Sequence, residues 1–194
     1  MKIRKLVNGK RTGKPFSAKT LQSVANRGMI DQTLSTLAKS GKLKRIVPGV
    51  YVKPKYHPVL GEMTVSIEEV VQALASHTGE LIRSSGAEAA NRLGLSTQVP
   101  VKAIYLTSGR TRNLKIGNQS VRLKETHRKF LVLPGLAGDI VRGLRYLGKD
   151  GVTKKQIQIV RKTLTPEAKK ALAKYQLRLP SWMSSVIKEL CDGS

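Results

Sequence analysis

The chain has 194 residues, 36 of them Lys or Arg against 12 Asp or Glu, giving a formal net charge of +24 with 40% hydrophobic residues. That length holds one large domain or two small ones, and that apolar content excludes wholesale disorder. The charge calls for a polyanionic partner, because neutralising phosphates releases counterions, while two Phe, one Trp and five Tyr are too few for a base-stacking platform for single strands.

Residues 1–62 form the first predicted module, with fourteen Lys/Arg and two acids. Met1 to Lys14 is basic with no apolar segment after it, so no signal peptide is expected. Residues 1–11 offer only a weak first helix, interrupted by Asn8-Gly9. Ser17 caps a predicted helix to about Asn26, with Leu21, Val24 and Ala25 as its apolar stripe. Arg27-Gly28 closes a turn, and a second helix follows with Ile30, Leu34, Leu37 and Ala38 on one face. Ser40-Gly41 ends it. Its other face carries Gln32, Ser35, Thr36 and Lys39. Short and amide side chains can approach base edges, Gln pairing with adenine; ordinary solvation is the alternative for that face. Leu43 to Val47 and Val50 to Val52 read as two strands joined at Pro48-Gly49. Tyr51 is expected to anchor this ribbon on the helices. Lys42, Lys44, Arg45, Lys53 and Lys55 edge it, and with Lys19 and Arg27 they are the expected DNA-backbone contacts. Helix, turn, helix and ribbon in this order predict a winged helix-turn-helix, which puts its second helix in the major groove.

Residues 63–148 predict a second, small α/β domain with an antiparallel sheet. Ser66 and Glu69 have capping-box spacing at the head of a helix to about Ser76. Leu81-Ile82 reads as a short strand. Ser84 or Ser85 opens a small-residue helix, and Gly94 stops it. Val101 to Leu106 reads as a strand, and Gly117-Asn118 bends a hairpin of residues 113–123. Ala137 to Leu147 is an amphipathic helix, with Asp139 expected at its start. Arg83, Arg110, Arg112, Arg122 and Arg128 are the candidate surface for an anionic partner.

Residues 149–194 read as a basic helical extension. Thr165-Pro166-Glu167 is a strong helix start, and Pro180-Ser181 introduces a last helix with Trp182 expected in a core. The single cysteine, Cys191, forbids an internal disulfide and fits a reducing compartment. No apolar run approaches about 20 residues, so no membrane span is expected; the expected setting is a bacterial cytoplasm, with the protein on the nucleoid when DNA-bound. His57, His77 and His127 lack metal-ligand spacing, no paired acids stand out, and there is no phosphate-cradling glycine loop. Neither an enzyme nor a cofactor is expected.

Several stretches together carry a resemblance. They are Met29–Leu37, Gly41–Arg45, Gly49–Tyr51, His57–Gly61, Ser84–Ala87, Asn91–Pro100 and Tyr105–Gly109. Over roughly residues 15–150 the chain resembles the AbiEi-type antitoxin family of type IV toxin–antitoxin systems, in particular its shorter, DUF6088-like members. That resemblance implies a winged-helix N-terminal domain that represses its own operon at promoter repeats. It also implies a C-terminal domain tied to neutralising a nucleotidyltransferase-like toxin. Gln32, Ser35, Thr36 and Lys39 match the family's recognition helix, and Lys44 and Arg45 its wing. The short segment before Ser17 and the basic tail after residue 150 depart from the family pattern. The expected function is therefore a sequence-specific regulator of double-stranded DNA, acting as a homodimer or two monomers on a repeated site, with a toxin as further partner. The alternatives are a non-specific or RNA-directed basic protein, and a protein-interaction module directed at the toxin.

Overall fold

A computed structural model of the protein describes residues 2–98 and 101–192; Val99-Pro100, the end of the Asn91–Pro100 stretch, lies outside them. It is a mixed α/β structure of eight α-helices and three small sheets among the described residues. The chain divides into two compact units. The first is Met1–Glu80 with Leu114–Ser120, the second Leu81–Asn113 with Val121–Ser194. Residues 63–80 thus belong to the first unit and residues 149–192 to the second.

In the first unit, α1 (Lys2–Asn8) buries Ile3 and Val7, four residues apart and hence on one face. β1 (Phe16–Ser17) follows. The α-helix expected from Ser17 to Asn26 is only a 3-10 turn, Ala18–Leu21. Its cap is as expected, Ser17 Oγ accepting from the Lys19 N–H at 3.1 Å. Ser17 pairs with Val50 and Asn26 caps the next helix, so the segment between them is pinned at both ends by other elements. α2 (Arg27–Lys39) buries Ile30, Leu34 and Leu37, which share a core with Ile3, Val7, Leu21, Leu43 and Tyr51.

β2 (Lys44–Val47) and β3 (Val50–Val52) pair antiparallel about the Pro48-Gly49 turn, and β1 adds to the other edge of β3, giving the order β1-β3-β2. β4 (Tyr56–His57) and β5 (Gly61–Glu62) make a separate hairpin. α3 (Ile67–Thr78) buries Val70, Val71 and Leu74. Ser66 caps it without a side-chain hydrogen bond, so the capping box does not form; Glu69 instead lines a cleft with Arg11, Lys14 and Lys55.

The second unit is built on a four-stranded sheet of order β6-β7-β9-β8, whose β8–β9 tip counts with the first unit. β6 (Ile82–Ser84) runs antiparallel to β7 (Ala103–Thr107), but β7 is parallel to β9 (Gln119–Glu125). The all-antiparallel expectation fails because β8 (Arg112–Ile116) takes the outer edge, and its hairpin returns the chain alongside β7. α4 (Gly86–Arg92) lies tightly on α5 (Gly135–Leu147): a Cβ on Gly86 would come within 2.8 Å of the Arg142 carbonyl oxygen and of Tyr146 Cβ. α6 (Lys154–Thr163) starts from a capping box of Thr153 and Gln156, and α7 (Pro166–Tyr175) from Thr165 with Pro166 in its first turn. α8 (Ser181–Asp192) ends the described chain. Ile157, Val160, Leu172, Met183, Ile187 and Leu190 share one core with Ile140 and Leu144, and Trp182 packs against it half-buried. The basic C-terminal stretch is thus core material on its apolar side.

Candidate nucleic-acid interface

Because Ile30, Leu34 and Leu37 fill the core, helical geometry turns the positions about half a turn away outward. Gln32, Ser35, Thr36 and Lys39 are all exposed. The start of this helix is firm, since Asn26 Oδ1 accepts from the Met29 N–H at 3.0 Å. Thr36 is partly occupied: its hydroxyl donates to the Gln32 carbonyl at 3.0 Å. Gln32 and Lys39 form the centre of the exposed strip, with Ser35 on one flank and Thr36 on the other.

Beside that strip runs a groove of about 770 Å³. The 3-10 turn contributes Lys19 to its lining, α2 contributes Arg27, Ser35 and Lys39, and β2 contributes Arg45. Asp31 also lines it, with Oδ2 3.7 Å from Arg27 Nε. Both of those side chains are largely exposed, so the pair is weak. Four cations against one weakly held acid make this cleft strongly positive, and low-dielectric walls strengthen its field.

The other cations expected on the backbone lie elsewhere. Lys44 neighbours Arg45 but projects from the opposite face of the strand, where its Nζ donates to Glu62 Oε1 at 2.7 Å. Lys53 Nζ donates to the Asn8 carbonyl at 2.9 Å. The alkyl chain of Lys55 lies over Gly13. Lys42 is exposed just beyond α2. The ribbon's turn is held inward rather than free. The Gly49 carbonyl accepts from the Ala18 N–H at 2.9 Å, and Gly49 stands at φ +79° with the His77 ring against its Cα. Any side chain there would be strained and would overlap the imidazole.

The arginines expected as a second surface come together only in part. Register places Arg83 opposite Leu106, Leu106 opposite Lys124, and Arg122 opposite Ile104, so Arg83, Arg122 and Lys124 share one sheet face. Alternation with buried Val121 and Leu123 was the signal for Lys124. Arg110 sits in the preceding loop, Arg112 opens β8 and donates to the Arg110 carbonyl at 3.1 Å, and Arg128 lies on a 3-10 turn.

Asp139 does not start α5. It lies in the second turn, 6% exposed. Its Oδ1 accepts from Arg142 at 2.6 Å and its Oδ2 from Arg92 at 2.8 Å. Burial pulls the Arg142 guanidinium below its ordinary range, against the opposing pull of Asp139. On Arg92 burial acts the same way, but Asp139 and Glu88 outweigh it and the net shift is upward. The network ties α4 to α5, which is a structural role. Sequence reading missed it because i,i+3 spacing does not say which face is buried.

No helix among the described residues is long and apolar enough to cross a membrane. Comparison with curated proteins and with solved structures returns no match. A family model does match, over residues 2–172, which includes both the α2 groove and the arginine-bearing sheet, and the chain belongs to that family, a family of unknown function (DUF6088).

Proposed function

We propose that the protein is a sequence-specific regulator of double-stranded DNA, with the first unit a winged helix whose reading helix is α2. The order α1, β1, 3-10 turn, α2, β2, β3, with the 3-10 turn standing where such a module has its second helix, and the sheet order β1-β3-β2 support that reading. The observation that carries the reading is the exposed Gln32–Ser35–Lys39 strip running alongside the groove of Lys19, Arg27, Lys39 and Arg45. The strip supplies groups that distinguish bases, and the groove supplies charge for the phosphates that hold them in register. Repression of its own operon follows from the resemblance to AbiEi-type antitoxins, and any toxin-directed role falls to the Arg83–Arg122–Lys124 face of the second unit.

The test is fluorescence anisotropy with a labelled duplex from the region upstream of the protein's own coding sequence, against a shuffled duplex of equal length. Saturable binding with preference for the upstream duplex is expected. Gln32→Ala is expected to cost about 1–3 kcal/mol on the preferred duplex and little on the shuffled one. Equal affinity for both duplexes, unaltered by the substitution, would instead support a non-specific basic protein.

A further inference from the structure

The groove holds one imidazole among its cations. His77, near the C-terminus of α3, is half-buried and lines the groove with the four cations. We propose that His77 is a proton-coupled element of the DNA site, so that seating a phosphate in the groove is accompanied by protonation of the imidazole. This rests on the DNA-binding reading and adds a residue and a control to it.

The geometry gives the ring two fixed neighbours. Its Nδ1 lies 3.3 Å from Ser17 Oγ, and its far edge abuts Gly49 at the β2–β3 turn. The Ser17 hydroxyl donates to Nδ1 of the neutral ring that carries its proton on Nε2, and accepts from Nδ1–H when the ring is charged. Protonation therefore keeps this contact, and Ser17 Oγ can still accept from Lys19 N–H. The charged groups lining the same groove are Lys19 from the 3-10 turn, Arg27, Asp31 and Lys39 from α2, and Arg45 from β2; the Tyr51 phenol also lines it from β3. On α3 itself the acids Glu68 and Glu69 lie at the opposite end. The groove thus offers the imidazolium one acid, which also pairs weakly with Arg27. A phosphate changes the balance: it brings negative charge to the cleft and favours the charged ring. By linkage, DNA then binds more tightly as pH falls.

The experiment measures anisotropy with the upstream duplex between about pH 7.5 and about pH 5.5, the range across which an ordinary histidine titrates. Calorimetry in two buffers of different ionisation heat counts the protons taken up. Wild-type affinity is expected to rise about three- to tenfold over that range, within the single-proton limit of roughly tenfold per pH unit. His77→Gln, which keeps an amide for Ser17 but cannot titrate, is expected to abolish the rise. His57→Gln and His127→Gln keep it. A flat wild-type profile, a rise retained in His77→Gln, or no proton uptake in the buffer pair overturns the proposal. The buffer-pair measurement needs no variant, so an absence of proton uptake overturns the proposal even if His77→Gln fails to fold. Absence of binding to any duplex at every pH removes the proposed function and this inference together, whereas binding without proton uptake removes this inference alone.

Discussion

Neighbouring residues of β2 carry the sharpest contrast in the first unit. Arg45 lines the groove, whereas Lys44 projects to the other face and pairs with Glu62. A run of cations in sequence looks uniform, but strand alternation splits it. Arg45→Ala is therefore expected to weaken binding to every duplex and to lower the log–log salt slope by about one. Lys44→Ala is expected to leave both nearly unchanged, and loss of its half-exposed ion pair to cost at most about 1 kcal/mol of stability. Anisotropy titrations at several salt concentrations and a thermal melt check both. The same alternation explains what was legible. Gln32, Ser35, Thr36 and Lys39 follow from helical spacing against Ile30, Leu34 and Leu37 and are all exposed. His77 was not legible as a groove residue, because its place depends on α3 folding back onto β1 and the 3-10 turn, sixty residues away in sequence from Ser17.

At the scale of elements, local signals with short reach were readable. Ser17, Ser85 and Thr165 accept the cap hydrogen bonds expected of them, and both Pro48-Gly49 and Gly117-Asn118 make their turns. Elements that depend on distant partners were misread. The 3-10 turn starts where β1 leaves its pairing with β3, across more than thirty residues, and β7–β9 is parallel because β8 is displaced to the edge. The weakly signalled α1 is the informative case. Its buried Ile3 and Val7 join the core under α2, so it supports the helix that carries the exposed polar strip. Ile3→Ala is expected to destabilise the protein by about 2–4 kcal/mol, measured by denaturant unfolding, and to reduce DNA affinity only through the unfolded fraction.

For the whole molecule, net charge and local geometry make different predictions. A chain of charge +24 that simply coats nucleic acid engages cations from both units and has a steep salt dependence. Binding through the groove engages Lys19, Arg27, Lys39 and Arg45, which corresponds to a log–log slope of roughly −3 to −4 at about −0.9 per phosphate contact. A measured slope in that range per bound protomer favours the groove, and one twice as steep per protomer favours coating.

The division of the chain has a practical corollary. Residues 114–120 are counted with the unit formed by the first eighty residues, so that unit is not one continuous piece of polypeptide. Severing the backbone once, at any position, cannot deliver the two halves intact. Gene fusions or nested deletions meant to assign separate tasks to them would carry a stray loop in one product and a gap in the other, and point substitutions are the cleaner way to dissect this protein.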